Sequence, residues 1–211
     1  MSKLYGKPRF RSSFRRPAPR LSGDLILIVC EGEATEPSYF KAIKQQWRIP
    51  PLQVEVYGKE CGSDPCSVVR FAIAKKEIPR DEDGLYYDQA WCVIDKDKHT
   101  NLKMALVTAK ANRVNICLSV PCFEFWYLLH FVYTTKPFTN AKAVISELKK
   151  HLKHGKYQKN TSPVKELMPR LNSAIRHAQK VRKNNEETGS DNPSTGVDLL
   201  IKELRKICGM P

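Results

Sequence analysis

Four short apolar runs alternate with stretches of helical character between residue 21 and Pro121. The apolar runs cover 24–30, 52–57, 90–95 and 114–119, and the helical stretches cover 36–47, 66–78 and 100–112. Each apolar run has the length of a buried strand, and one helix fits between successive strands. Strands connected in this way lie parallel, with helices on the faces of the sheet. The sequence therefore predicts an α/β fold with a mostly parallel sheet flanked by helices.

Residues that favour helix N-termini precede the three helical stretches. Thr35 can cap the first, Ser63 or Asp64 the second, and Thr100 or Asn101 the third. Their side-chain oxygens can accept hydrogen bonds from backbone N–H groups that have no partner within the helix. These positions support helix starts near residues 36, 66 and 100.

The pattern changes after Pro121 to a dense apolar and aromatic run, CFEFWYLLHFVY (122–133), followed by three predicted helices. In the run, Trp126, Leu129 and Tyr133 would share one core-facing side of a helix. The helices are predicted at 140–153, 163–183 and 196–208, and the segment NNEETGSDNPSTG (184–196) has the composition of a disordered loop. The C-terminal helices either pack on the sheet or form a small second lobe. We divide the chain into a basic arm (1–21), an α/β core (22–135) and a helical C-terminal extension (136–211).

The chain is strongly basic, with a formal net charge of +14. An excess of this size favours an anionic partner, most commonly nucleic acid, DNA or RNA. The first 20 residues contain no acidic side chain and several prolines, which favours a flexible arm. Its arginines are candidate nucleic-acid ligands, although the arm is also explained as a solubilising tail: Arg9, Arg11, Arg15, Arg16 and Arg20.

Cysteine usage and hydropathy indicate the compartment. The seven cysteines are scattered and odd in number, and several lie within apolar runs, as small buried side chains do in a reducing environment. No apolar stretch reaches the length of a membrane span, and no apolar core of a signal peptide follows the basic N-terminus. We therefore expect a cytoplasmic protein without a membrane partner.

Acidic side chains follow two of the predicted strands at their carboxyl ends. Glu31 follows the first strand, and Asp95 and Asp97 end the third in a D-x-D pattern. If the two strands are neighbours, these carboxylates converge where open α/β sheets bind ligands. Without a cation they would repel one another, and oxygen ligands suit Mg2+ or Mn2+. Separately, each motif has a simpler explanation, since aspartates cap loops and Gly32 can relieve a tight turn.

A glutamate after the first strand and a later D-x-D resemble the Toprim domain of topoisomerases, primases and overcoming-lysogenization-defect nucleases. Four stretches resemble the RloB family in particular, which is also seen as the small subunit of AbiL-type phage-defence systems. The stretches are LILIVCEGEATEPSYF (25–40), WCVIDKDKH (91–99), PCFEFWYLLHF (121–131) and NPSTGVDLLIKEL (192–204). The resemblance covers nearly the whole folded chain and implies a Toprim-like α/β core over 22–135. One departure is Val120, where the family pattern has an asparagine before Pro121.

The resemblance also implies roles for individual acidic residues. Glu31 would act as general acid/base or metal ligand, and Asp95 and Asp97 would be the main magnesium ligands. Glu124, in an aromatic setting, is costly to bury alone. It either completes the metal site or pairs with an arginine as a structural group.

Further polar residues near these motifs carry two interpretations each. Glu33 and Glu36 match acids of the family stretch, but Glu36 is equally explained by stabilisation of a helix N-terminus. His99 either positions a phosphate or water or lies at the surface, and His130 is interpreted as a hydrogen-bonded core histidine. Lys159 would neutralise transition-state charge or belong to a solvated basic face.

The leading functional hypothesis is a Mg2+- or Mn2+-dependent nuclease of the Toprim type in bacterial phage defence. The alternative is a non-catalytic nucleic-acid-binding or toxin subunit controlled by a partner ATPase of the ABC/AAA type, as AbiL-type systems resemble such two-gene modules. The chain has no G-x-x-x-x-G-K-[ST] loop, so ATP hydrolysis by that route would come from the partner. Strand passage or primer synthesis is disfavoured, because the chain is too short to hold that machinery.

Overall fold

A computed structural model describes residues 24–80, 84–96, 101–153, 155, 157 and 163–210. Its centre is a five-stranded sheet in the order β2-β1-β3-β4-β5. The first four strands are parallel, and β5 runs antiparallel to β4. The strands are β1 (Ile26–Cys30), β2 (Val54–Tyr57), β3 (Gln89–Asp95), β4 (Asn115–Val120) and β5 (Ser194–Thr195). The predicted α/β fold with a mostly parallel sheet is confirmed.

Helices connect the parallel strands and continue to the C-terminus. In chain order they are α1 (Thr35–Gln46), α2 (Pro65–Glu77), α3 (Leu102–Ala111), α4 (Glu124–Leu129), α5 (Ala141–His151), α6 (Val164–Leu167), α7 (Leu171–Thr188) and α8 (Val197–Ile207). Two single turns of 3-10 helix lie at Lys59–Cys61 and Met168–Arg170. None of the described helices combines the length and the apolar character needed to cross a membrane.

The sheet separates two hydrophobic cores. Because side chains alternate along a strand, Ile26 and Ile28 of β1 belong to one core, and Leu27 and Val29 belong to the other. The first core contains side chains of α1, α4, α5, α7 and α8, and the second contains side chains of α2 and α3. The C-terminal helices therefore pack on one face of the sheet.

The observed helix starts agree in part with the capping residues predicted from the sequence. Asp64 caps α2 as predicted, since its Oδ1 accepts hydrogen bonds from the backbone N–H groups of Cys66 and Ser67 at 3.1 and 3.2 Å. Thr35 is the first residue of α1 rather than its cap, and Ala34 occupies the cap position without a side-chain bond. Asn101 precedes α3, but its side chain donates to Asp64 at 3.0 Å instead of capping α3.

The C-terminal third differs from the sequence prediction in three places. The helix predicted at 163–183 is divided into α6, a 3-10 turn and α7, and α7 continues to Thr188. The segment predicted to be disordered contains the end of α7 and strand β5, because Asn185 donates to the Pro193 carbonyl and β5 pairs with β4. Tyr133 lies beyond the end of α4 and is 42% exposed, so it is not a core residue.

All seven cysteines are free thiols, and five of them are buried. This confirms their interpretation as small buried side chains rather than a disulfide framework.

Candidate active site

The carboxyl ends of β1 and β3 bring two of the predicted acids together. The strands are hydrogen-bonded neighbours with Cys30 opposite Val93, and the Glu31 backbone N–H donates to the Val93 carbonyl at 3.0 Å. The Glu31 side chain also reaches β3, where its Oε2 accepts a hydrogen bond from the Asp95 backbone N–H at 3.1 Å. Glu31 and Asp95 therefore meet at the carboxyl edge of the sheet, as the sequence predicts.

A third carboxylate, Glu36, joins this edge from the first turn of α1. Its side chain is buried, with 7% of the residue exposed. A Cβ atom placed on Gly32 would lie only 2.1 Å from Glu36 Oε2. Gly32 is thus required because the Glu36 carboxylate occupies the space of a side chain at that position. Glu36 thus lies at a helix N-terminus and also acts electrostatically on Asp95, so both interpretations of this residue stay open.

Glu124 supplies the fourth carboxylate. It follows β4 as the first residue of α4 and is 2% exposed. Its Oε1 accepts a hydrogen bond from the Tyr157 hydroxyl at 3.0 Å. Tyr157 and the Cys122 thiol are thus side-chain hydrogen-bond partners of Glu124, and no arginine in the described part of the chain forms an ion pair with it. We refer to Glu31, Glu36, Asp95 and Glu124 as the carboxylate cluster.

The electrostatics of the cluster act most strongly on Asp95. Burial raises the pKa of Asp95 well above its ordinary value, and the negative charges of Glu36, Glu124 and Glu31 raise it further. A hydrogen bond from the Phe123 backbone acts in the opposite direction but does not reverse the shift. Asp95 Oδ1 is buried and has no hydrogen-bond partner in the described part of the protein. The Asp95 carboxyl therefore favours a bound proton or another positive group.

The donor set fits a hard divalent cation in its chemistry. Carboxylate oxygens are the preferred ligands of Mg2+ and Mn2+, and Asp95 Oδ1 has no hydrogen-bond partner in the part of the chain that the structure describes. Within the residues that the structure describes, no three His, Cys, Asp or Glu side chains already form a metal-binding group. Asp97 and His99, the remaining candidates beside Asp95, lie outside the described residues. The described chain thus offers Glu31 and Asp95 as ligands, with Glu36 and Glu124 close to them.

The other predicted site residues are placed as follows. Glu33 is exposed in the turn after Glu31. Lys159 and the arm residues Arg9, Arg11, Arg15, Arg16 and Arg20 lie outside the described residues. Lys96, next to Asp95, forms an ion pair with Asp191.

His130 is the buried core histidine that the sequence predicts. Its Nδ1 is hydrogen-bonded to the Trp126 carbonyl at 2.9 Å, and its ring packs edge-on against the Trp126 ring. Burial lowers the pKa of His130 to about 4, so the ring is neutral near neutral pH. Val120, where the family pattern has asparagine, is buried and pairs with Ser194 in β5.

Sequence reasoning missed Tyr157, which lies in the stretch KYQKN (156–160) beside the candidate Lys159. Tyr157 is 8% exposed, and its ring packs edge-on against Tyr127. Burial and the charge of Glu124 raise the pKa of Tyr157, so its hydroxyl stays protonated as a hydrogen-bond donor. A lone tyrosine in a lysine-rich stretch gives no local signal, because its partner is 33 residues away.

The fold and the site define an α/β protein whose parallel sheet gathers carboxylates at its carboxyl edge, consistent with a Toprim-like fold. Comparison with protein families gives a match to the family described as RloB-like protein over residues 26–204, and the chain belongs to this family. Neither the curated proteins nor the solved structures contain a significant match to the chain.

Proposed function

We propose that this protein is a metal-dependent nuclease of the Toprim type that hydrolyses phosphodiester bonds of DNA or RNA with Mg2+ or Mn2+. We place this activity in the cytoplasm, in bacterial phage defence. The observation that carries the proposal is the meeting of Glu31 and Asp95 at the sheet edge, where Asp95 Oδ1 is buried and has no hydrogen-bond partner among the described residues. Acidic residues gathered in this way need a positive charge, and a cation that neutralises them can also bind phosphate.

The proposed reaction requires residues that hold the cation and a residue that acts as general acid or base. Glu31 and Asp95 would hold the cation, together with Asp97 if the D-x-D pattern acts as it does in Toprim proteins. Bound there, the cation supplies positive charge that stabilises the phosphate in the transition state. Alternatively, Glu31 would serve as the general acid or base beside the cation, since its carboxylate lies at the carboxyl end of β1 next to Asp95.

The overall charge supports a polyanionic substrate. The chain carries a net charge of +14, although its candidate site is a cluster of acids. Nucleic acid would be attracted by the basic surface and arm, while the acids hold the cation at the site of cleavage. This division explains why a strongly basic protein places negative charge at the end of a buried strand.

The test is cleavage of labelled DNA, RNA and tRNA by the purified chain with Mg2+ or Mn2+. Glu31→Gln should lower the cleavage rate by about 100-fold or more, because it removes either a ligand or the acid/base group. Glu77→Gln is the matched control, since Glu77 is an exposed glutamate at the end of α2, outside the carboxylate cluster. Equal rates for wild type and Glu31→Gln would show that any cleavage arises elsewhere.

A second candidate function is a nucleic-acid-binding or toxin subunit that is silent until an ABC/AAA-type ATPase partner acts on it. One observation favours it: no group of three metal-ligating side chains is preformed in the part of the chain that the structure describes. A partner that completes the site would satisfy this. Co-expression with neighbouring ATPase genes, followed by cleavage assays with and without the partner, separates the two functions. Salt-sensitive binding without cleavage under either condition would favour the binding subunit.

A further inference from the structure

Tyr157 is joined to the carboxylate cluster by a buried hydrogen bond. Its hydroxyl donates to Glu124 Oε1 at 3.0 Å, and both residues are more than nine-tenths buried. A hydrogen bond to a carboxylate in such surroundings is stronger than one in water. It fixes one oxygen of Glu124 and thereby limits how the whole carboxylate can rotate.

The same hydroxyl is also hydrogen-bonded to the Thr35 side chain. Thr35 is the first residue of α1 and precedes Glu36, whereas Glu124 is the first residue of α4. Tyr157 therefore connects the starts of the two helices that bring Glu36 and Glu124 to the cluster. The edge-on packing of its ring against Tyr127, at 6.2 Å between ring centres, holds the hydroxyl in place.

Glu124 is electrostatically coupled to the predicted metal ligand. Its charge acts on Asp95, together with that of Glu36. The Cys122 thiol is a further hydrogen-bonding neighbour of Glu124. Tyr157 and Cys122 therefore both hydrogen-bond to Glu124, and the Tyr157 hydroxyl also reaches Thr35 at the start of α1.

We propose that Tyr157 is a positioning residue of the carboxylate cluster, which holds Glu124 near Asp95 and strengthens binding of a divalent cation there. This inference rests on the proposed metal-dependent function. Groups that orient ligands without touching the metal contribute about 10- to 100-fold to metal affinity. Tyr157→Phe removes the hydroxyl but retains the ring and its packing against Tyr127.

Tyr87→Phe is the matched control. The Tyr87 hydroxyl also donates to a glutamate, Glu55, which lies outside the carboxylate cluster and pairs with Arg80. Both substitutions remove one hydrogen bond between a tyrosine and a glutamate, so both should lower thermal stability. Only Tyr157→Phe should change the response to a cation.

The experiment is a calorimetric titration of Mn2+ into the full chain, with thermal unfolding in parallel. Tyr157→Phe should bind Mn2+ about 10-fold more weakly or worse, and Tyr87→Phe should match wild type. Thr35→Val, which removes the other partner of the hydroxyl, should give a smaller loss, and Thr35→Ser should restore wild-type binding. The Thr35 variants decide the question if Tyr157→Phe does not fold.

Each outcome has one meaning. If wild type binds Mn2+ and Tyr157→Phe or Thr35→Val binds it equally well, the positioning role is wrong while the metal site stands. Equal losses in Tyr157→Phe and Tyr87→Phe would reduce the effect to general stability and also overturn it. If wild type binds no Mn2+, the proposed function fails, and the inference fails with it.

Discussion

Two acidic residues, the partly buried Glu55 and the buried Asp95, have opposite electrostatic environments in this protein. Glu55 of β2 receives hydrogen bonds from the Tyr57 and Tyr87 hydroxyls and from Arg80, whose Nε lies 2.7 Å from Glu55 Oε1. Burial alone would raise the pKa of Glu55, but the tyrosine hydrogen bonds and the Arg80 charge outweigh it and lower the pKa. Asp95, in the carboxylate cluster, has its pKa raised by burial and by three acidic neighbours.

The difference teaches how to separate a structural acid from a functional one. At Glu55 the chain itself supplies the positive charge and the donors, so the acid stabilises the fold. At Asp95 the described chain adds further negative charge and leaves Oδ1 without a partner. Such an arrangement costs stability, and this cost is the physical basis for proposing that the site binds a cation.

The largest expected effect concerns activity. Asp95→Asn should lower the rate of phosphodiester cleavage by about 100-fold or more, because the variant loses a charged ligand of the cation. Glu55→Gln should stay within about threefold of wild type, since it lies outside the cluster. Single-turnover cleavage of a labelled substrate measures both. If the two variants lose activity to the same extent, the distinction between the two acids is wrong.

The next effect concerns stability at Glu55. Arg80→Met should lower the free energy of unfolding by about 2 kcal/mol, because Glu55 then keeps its charge without its cationic partner. Lys183→Met provides the control, as Lys183 pairs with Glu187 at 3.8 Å on the exposed surface and should contribute under about 0.5 kcal/mol. Urea unfolding measures both. If Arg80→Met lowers the free energy of unfolding no more than Lys183→Met does, the structural role of the Glu55–Arg80 pair is wrong.

A smaller effect of opposite sign is expected at the cluster. Asp95→Asn should raise the free energy of unfolding of the metal-free protein by about 1 kcal/mol near neutral pH, because asparagine avoids the free-energy cost of either burying the charge or protonating the carboxyl group. Urea unfolding in the presence of a chelator measures this. Destabilisation by Asp95→Asn under these conditions would mean that the cluster is already neutralised within the chain.

Asp95→Asn should also change how the free energy of unfolding depends on pH, in a direction that follows from the raised pKa of Asp95. The folded-state pKa of Asp95 lies above its ordinary value of 3.8, so the folded protein holds this proton more tightly than the unfolded chain. The stability linked to that proton is fully present below pH 3.8 and is lost as the pH rises through the folded-state pKa. The stability gap between Asp95→Asn and wild type should therefore be small in acid and grow with pH. Unfolding curves across a pH series measure it, and a gap that shrinks with rising pH would contradict the account.

Local sequence patterns were sufficient to predict the framework and the centre of the site. Each of the four parallel strands coincides closely with a predicted apolar run, and Asp64 is a capping residue next to Pro65. Glu31 follows β1, and β3 ends at Asp95. To predict from these features that Glu31 and Asp95 meet, the one further assumption was that β1 and β3 are neighbours. The structure confirms that they are.

The remaining parts depend on contacts between distant segments. From the sequence Gly32 resembles an ordinary turn residue, but in the structure the Glu36 carboxylate occupies the space of a side chain at that position. The role of Tyr157 becomes visible only from its hydrogen bond to Glu124. The polar segment after Asn184 is ordered because β5 pairs with β4, which its composition does not reveal. Tertiary contacts of this kind override local preference and carry no short-range signal.

The central proposal is that a divalent cation binds the carboxylate cluster and displaces any proton that the raised pKa of Asp95 retains there. Its most direct test is calorimetric titration of Mn2+ into wild type and Asp95→Asn near neutral pH, in buffers of different ionisation enthalpy. Wild type should bind Mn2+ and release protons to the buffer, and Asp95→Asn should bind at least about 10-fold more weakly with less proton release. Absence of Mn2+ binding by wild type, or equal binding and proton release by the two proteins, would contradict the claim.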